Sequence, residues 1–151
     1  MPFRRTSLIL PALFVVVLAM TLWVTNSGHR RGNIYIISPG FVGTVKIHFG
    51  IEGAPPFPLK DGFYVIRIPA NGEILTSSMP EEGWGEDRFY YGMENESSRL
   101  FESGEVSKSG TAQPQTIWNR KMVAGSNLGL FETFFVGPRA GFLKLNPHWG
   151  E

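Results

Sequence analysis

The fold is decided by the stretch Val42-Gly43-Thr44-Val45-Lys46-Ile47-His48-Phe49. Every second residue from Val45 to Phe49 is apolar and the residues between them are polar, which is the period of a strand with one buried face. Other segments of strand composition are Ile34–Ile37, Phe63–Ile68, Glu73–Ser77, Phe89–Tyr91, Arg99–Phe101, Thr116–Asn119, Lys121–Ala124, Leu130–Val136 and Gly141–Leu145. No window after Val24 has sustained helical periodicity. The sequence therefore predicts an all-β fold, an antiparallel β-sandwich.

The segments between these strands are rich in Gly, Pro, Asn and Ser. Pro69-Ala70-Asn71-Gly72 has the composition of a turn and predicts a hairpin between Phe63–Ile68 and Glu73–Ser77. The segment Ser103–Pro114 has almost no apolar side chains and is predicted to be a mobile loop.

The first 32 residues differ in composition from the rest of the chain. Two arginines precede an apolar run of about 17 residues, from Leu8 through Val16 to Val24. This length reaches the ~17 to 25 residues of a spanning helix and exceeds the ~7 to 15 of a signal-peptide core. The nearest cleavage site, Thr25-Asn26-Ser27, matches the small-residue rule poorly. We therefore expect a retained membrane anchor with an extracytoplasmic C-terminal domain. The alternative is a cleaved signal peptide that releases a secreted or periplasmic domain.

Residues 33–151 are predicted to form one domain. The chain has no cysteine, so it has neither a disulfide framework nor a lipid-attachment cysteine. All 13 acidic residues lie after Gly32 with ten of the 14 basic ones, which gives this part a net charge of −3. A mildly acidic domain without a stripe of Lys and Arg lacks the charge pattern of a nucleic-acid-binding protein. We therefore expect no nucleic-acid partner.

Several turn and strand motifs carry a resemblance to a known family. They are the run Ile36–Val45, Gly53-Ala54-Pro55-Pro56, Asp61-Gly62-Phe63-Tyr64, Ile68-Pro69-Ala70-Asn71-Gly72, Thr76-Ser77-Ser78 and Phe135-Val136-Gly137. Together they resemble an uncharacterised family of bacterial domains of unknown function that sit behind a signal peptide or membrane anchor. The pattern is also similar to the prealbumin-like sandwiches of carboxypeptidase regulatory domains. The second likeness implies a prealbumin-like sandwich, while the strand pattern also leaves an immunoglobulin-like sandwich open. Neither likeness brings a known activity, ligand or catalytic residue.

Four aromatic residues give the clearest hint of a binding surface. They are Trp84, Phe89, Tyr90 and Tyr91, in an acidic stretch rich in loops. Aromatic side chains beside polar groups are common where proteins bind sugars or peptides. The alternative is that these rings fill the core of the sandwich.

No metal or cofactor site is predicted. The histidines His29, His48 and His148 lie far apart, whereas a zinc site usually draws on closely spaced ligands. The carboxylates between positions 81 and 96 could supply oxygens to calcium, but their spacing matches no calcium loop and favours a solvated turn; they are Glu81, Glu82, Glu86, Asp87, Glu94 and Glu96.

Taken alone, the sequence favours a non-enzymatic β-sandwich with a binding or structural role in the bacterial cell envelope. Its expected partners are the membrane, through the N-terminal segment, and an envelope protein or glycan. Two alternatives stay open. One is an envelope hydrolase that uses carboxylates of the 81–96 loop, and the other is an accessory subunit of a membrane complex.

Overall fold

The computed structural model describes residues 28–102, 116–125 and 129–148. The strands of these residues are β1 (Asn33–Ile37), β2 (Gly43–His48), β3 (Leu59–Lys60), β4 (Phe63–Ile68), β5 (Glu73–Leu75), β6 (Arg88–Tyr91), β7 (Arg99–Leu100), β8 (Thr116–Gly125) and β9 (Gly129–Gly137). A 3-10 turn covers Glu96–Ser98, and helix α1 covers Arg139–Leu145. The described residues divide into a small unit, 28–30 with 81–85, and a main unit, 31–80 with 86–148.

The strands of the main unit form two sheets. The first sheet has the order β3-β4-β1-β6-β7, and the second has the order β5-β2-β9-β8. The prediction of an all-β fold with two packed sheets is confirmed. The pairing is mixed rather than antiparallel throughout, because β1 runs parallel to both β4 and β6, and β2 runs parallel to β5. Parallel neighbours arise because β2 and β5 of the second sheet follow β1 and β4 of the first, so the connections from β1 to β4 and from β4 to β6 pass through the other sheet.

Three local predictions are corrected. The predicted hairpin is wrong because β4 lies in the first sheet and β5 in the second. The segments Thr116–Asn119 and Lys121–Ala124 are one strand, β8, with an irregularity between them. The segment Gly141–Leu145 belongs to helix α1, which starts directly after Pro138. Proline has a fixed φ near −65° and suits the start of a helix, a signal that outweighs strand composition here.

The core lies between the two sheets. Tyr35 of β1 stacks on Phe89 of β6 with ring centroids 4.5 Å apart, and both rings meet the edge of Phe134 from β9 at 5.6 Å. The other buried side chains of this core are Ile37, Val45, Ile47, Phe49, Ile66, Ile68, Leu100, Ile117 and Val136. They come from both sheets, so each sheet depends on the other to bury its inner face.

Helix α1 lies against β9 on the outer face of the second sheet. Its Phe142 is buried and stacks on Trp118 of β8 with ring centroids 5.5 Å apart. The Trp118 indole also donates a hydrogen bond of 2.9 Å to the Gly137 carbonyl, which fixes the start of the helix beside the sheet.

Helix α1 is also too short to cross a membrane, and no other helix in the described part of the chain is long and apolar enough to do so. The predicted membrane segment, from Leu8 through Val16 to Val24, lies outside the described residues, and so does the loop predicted at Ser103–Pro114.

Candidate functional site

A β-bulge in β8 organises both faces of the second sheet. Trp118 pairs with Phe135, and Lys121 pairs with Thr133, so β8 has one more residue than β9 between these pairs. Asn119 takes up the extra length with φ at +50°, a left-handed conformation that asparagine tolerates better than most residues. A bulge of this kind redirects the side chains on either side of it. It is the feature from which the candidate site is built.

At the bulge, the Arg120 side chain points to the inside of the sandwich. There its guanidinium is surrounded by Tyr35 and three carboxylates, a group we name the Arg120 cluster: Arg120, Tyr35, Asp87, Glu102 and Glu132. Arg120 Nη2 lies 2.6 Å from Asp87 Oδ2, and Nη1 lies 3.1 Å from Glu102 Oε1. Its Nε donates to Glu132 Oε1. The Tyr35 hydroxyl accepts a bond of 3.1 Å from Arg120 Nη2 and donates one of 2.9 Å to Glu132 Oε2.

Burial sets the electrostatics of the Arg120 cluster. The side chains of Glu132 and Asp87 are only 5% and 7% exposed, whereas Glu102 is 37% exposed at the solvent edge. Burial alone would lower the pKa of Arg120, but its interactions with Tyr35, Glu132 and Asp87 raise it above the usual value. Burial, reinforced by the charge of Glu132, raises the pKa of Tyr35 well above its usual value of 10.0.

The Arg120 cluster is suited to joining the sheets rather than to proton transfer. Its members come from β1, β8, β9 and the segments beside β6 and β7, so the ion pairs cross between the two sheets. The guanidinium bonds to each of the three carboxylates, and the Asp87 carboxylate also accepts a bond of 2.9 Å from the Asn33 backbone N–H. Buried carboxylates bonded in this way are held as structural charges.

On the other face of β8, the bulge helps to form an open cleft of about 170 Å³ beside helix α1. Its lining combines polar side chains with aromatic ones: Thr44, Asn119, Lys121, Thr133, Phe134, Phe135, Phe142 and Asn146. Since each water molecule takes about 30 Å³ of the liquid, the volume equals about five or six waters. The cleft is smaller than the ~300 to 1,000 Å³ of sites for drug-sized ligands.

The chemistry of the cleft follows from its lining. Among the described residues that line it, Lys121 is the only ionisable one, and its exposed ammonium gives the site a positive charge. Asn119 and Asn146 add amide groups; the Asn146 Nδ2 also donates to the Phe142 carbonyl at 3.1 Å, which orients that side chain. An ammonium, two amide groups and neighbouring aromatic rings can together bind a small ligand that carries an acidic group and hydroxyls.

The four aromatic residues predicted to bind a ligand have different surroundings. Phe89 is buried in the core between the sheets, and its neighbour Tyr90 is buried on the opposite face of the first sheet. Tyr91 is half-buried and its hydroxyl donates to the Phe41 carbonyl. Trp84 belongs to the small unit and is 84% exposed. Of the four, Trp84 alone presents most of its ring to the solvent.

Several of the polar side chains considered as metal ligands have structural partners. Glu86 bonds to Arg88 at 2.8 Å, which lowers the pKa of the Glu86 carboxyl, and Glu94 lies 3.6 Å from Lys60. Among the described residues, no three His, Asp or Glu side chains are arranged to hold a metal ion. His48 lies on the polar side of β2, with its Nε2 3.8 Å from Glu73.

Sequence reasoning missed both the Arg120 cluster and the cleft. One signal was present: Glu132 interrupts the apolar run Leu130–Val136, and a carboxylate in a buried strand needs a cationic partner. No sequence period reveals the bulge that supplies this partner.

The fold and the site define an all-β sandwich domain with a small cleft beside a C-terminal helix. The chain belongs to a family of unknown function, DUF6843, whose model matches residues 29–131. This confirms the resemblance seen in the sequence motifs. A crystal structure of a candidate lipoprotein from Bacillus anthracis is 19% identical, with a TM-score of 0.45, and the match covers 71% of this chain and 69% of that one. No curated protein matches the sequence.

Proposed function

We propose that this chain is a non-enzymatic binding domain held on the extracytoplasmic side of a membrane by its N-terminal segment. Its ligand site is the cleft beside helix α1, and its ligand is an acidic unit of an envelope glycan or polymer, of about monosaccharide size. The observation that carries the proposal is the lining of the cleft, where Lys121 supplies one positive charge among amides, hydroxyls and aromatic rings.

The size and charge of the cleft support this class of ligand. A volume of about 170 Å³ suits a single small unit rather than a chain. A carboxylate or phosphate on that unit would pair with the Lys121 ammonium, and its hydroxyls would bond to Asn119 and Asn146. Phe135 packs at an angle against Phe142 below these groups, with ring centroids 5.9 Å apart, and supplies the apolar part of the wall.

The positions and bonding partners of the carboxylates support a role in binding rather than catalysis. A hydrolase of the glycosidase type needs two carboxyl groups that converge on a substrate. The carboxylates that converge in the described residues do so on the Arg120 guanidinium, in the interior of the sandwich. The cleft itself is lined by no carboxylate among the residues described.

The membrane attachment is supported by the sequence. The apolar run from Leu8 to Val24 is long enough to span a bilayer, and the chain lacks the cysteine that lipid attachment would need. We expect the full-length chain to fractionate with membranes, and a protease added from outside to degrade its C-terminal domain. A soluble, shortened species would contradict the anchor and leave the cleft proposal standing.

The ligand site is tested with the full-length chain in detergent micelles by amide chemical-shift titration. The probes are acetate, inorganic phosphate and N-acetylglucosamine. We expect acetate or phosphate to shift the amides of Asn119, Lys121 and Asn146, and the Lys121→Ala variant to lose these shifts.

The matched control is Lys144→Ala, because Lys144 is an exposed lysine of α1 that does not line the cleft. This variant should keep the shifts. The site proposal is contradicted if none of the three probes shifts the cleft amides, or if both lysine variants lose the response equally.

A further inference from the structure

The small unit presents Trp84 on a short, tightly bonded backbone. The Trp84 N–H donates to the Gly28 carbonyl at 2.7 Å, and the Arg30 N–H donates to the Trp84 carbonyl at 2.9 Å. Gly83 permits this approach, since its φ is +112° and a Cβ there would lie 2.4 Å from the Gly28 carbonyl oxygen. Arg30 Nε also donates to the Gly83 carbonyl at 3.2 Å. The pairing therefore fixes Trp84 beside residues 28–30, although 84% of its surface is exposed.

This pairing places Trp84 close to the end of the apolar run. Three residues, 25–27, separate Val24, the last residue of the run, from Gly28, so four residue steps join the two. A chain of four residues spans at most about 14 Å when fully extended. The headgroup layer on each side of a bilayer is about 5 to 8 Å thick, as the difference between the ~30 Å core and the ~40 to 45 Å total implies. A linker that spans about 8 Å or less along the membrane normal therefore brings Gly28, and Trp84 beside it, within that layer.

Tryptophan has the chemistry that this layer favours. Its large ring is apolar while its indole N–H stays hydrogen-bonded, so tryptophans collect where hydrocarbon meets water. The apolar run has such a residue at its own outer end, Trp23. A second tryptophan, Trp84, 61 positions further along the chain, is held beside Gly28 and Arg30 by backbone hydrogen bonds.

We propose that Trp84 is an interfacial anchor whose indole inserts into the lipid headgroup layer of the membrane that holds residues 8–24. This rests on the part of the proposed function in which that segment is retained. The lipid contact fixes a second point of the chain at the membrane surface, so that the domain is held there by more than the apolar run alone.

The test uses the full-length chain in vesicles of phosphatidylcholine and phosphatidylglycerol. The chain has four tryptophans. In the test protein the other three are replaced by phenylalanine, so that all tryptophan fluorescence comes from Trp84. Two sets of vesicles are prepared, one with a nitroxide on the lipid headgroup and one with a nitroxide at the end of the acyl chains. We expect headgroup nitroxide to quench Trp84 about twofold or more strongly than chain-end nitroxide, as an interfacial ring requires. Flotation of the vesicles, measured on the same sample, reports whether the chain is membrane-bound.

The matched control is a chain whose only tryptophan is Trp118. That indole stacks on Phe142 and bonds to the Gly137 carbonyl in the main unit, so neither nitroxide should quench it. If the Trp84-only chain loses its strand signal in circular dichroism, the native chain is compared with its Trp84→Phe variant, and the difference in quenching reports on the same ring.

The outcomes separate the two proposals. A chain that floats with the vesicles while Trp84 stays unquenched overturns the interfacial anchor and leaves the membrane attachment intact; an exposed Trp84 would then be free for a protein or glycan. A chain that does not float overturns the membrane attachment, and the interfacial anchor with it.

Discussion

Replacing Arg120 by methionine is expected to destabilise the main unit strongly. The substitution keeps most of the side-chain volume but removes the only cation of the Arg120 cluster. Two carboxylates that are 5% and 7% exposed, Glu132 and Asp87, would then lose the guanidinium that pairs with them in the interior. Glu132 would keep its bond from the Tyr35 hydroxyl, and Asp87 its bond from the Asn33 backbone N–H; both donors are neutral.

The magnitude follows from the cost of breaking a buried ion pair. Removing one partner of such a pair typically costs about 3 to 5 kcal/mol, because the remaining charge is left desolvated. With a urea dependence near 2 kcal/mol per molar, the unfolding midpoint of Arg120→Met should fall by about 2 M. The control is Glu102→Gln, which alters the 37% exposed carboxylate at the solvent edge and should cost about 1 kcal/mol or less.

The assay is urea unfolding of the full-length chain in mild detergent, followed by the circular dichroism of the strands. A measurement at acid pH adds a second criterion, since protonation of the stranded carboxylates should reduce the deficit of Arg120→Met. The reasoning is refuted if Arg120→Met and Glu102→Gln shift the midpoint by the same small amount. It is also refuted if the deficit of Arg120→Met grows as the pH falls.

Three further changes test other parts of the fold. Gly72→Ala should lower the melting temperature more than Gly40→Ala. Both glycines have positive φ, but only at position 72 would a Cβ meet the Phe41 ring, at 2.7 Å. Equal losses of melting temperature in the two variants would contradict this. Asn119→Val should cost about 1 to 2 kcal/mol in urea unfolding while Asn119→Gly costs little, because a β-branched residue resists the left-handed backbone of the bulge. Burial and the charge of Glu132 raise the pKa of Tyr35 above 10.0, so the folded chain keeps this proton where the unfolded chain releases it. The stability that this provides is complete below about pH 10 and is lost as the pH rises further. In a titration followed by tyrosinate absorbance, Tyr35 should ionise only when the chain unfolds.

The parts of the fold that the sequence predicts are those set by local pattern. Phe63–Ile68 is a strand with the predicted bounds, because its alternation and the flanking turn residues agree. The apolar composition of Gly141–Leu145 obscured the short helix α1 that follows Pro138. Pairing partners were not predictable, since β2 pairs with β9 from the far end of the chain and no local signal encodes that choice.

The candidate site depends on features that no local pattern contains. Its cleft and the Arg120 cluster both follow from one extra residue in β8, and the break in strand composition at Arg120 was visible in the sequence only as a gap between two segments. Whether a gap of that kind is a loop or a bulge is decided by pairing with β9, a tertiary contact. The same holds for Trp84, whose nearness to Gly28 depends on backbone bonds across more than 50 residues.

The exchange of strands between the two sheets has a consequence for how the chain folds. The second sheet pairs β2 with β9, and the first surrounds β1 with β4 and β6, so neither sheet can be completed from one contiguous segment. Contacts between distant segments form slowly, because the loop between them must be closed before they are gained. If the chain is exported as proposed, its N-terminal strands cross the membrane before β9, the partner of β2, has emerged. The domain would then reach its final structure only on the far side, after the last strand has followed.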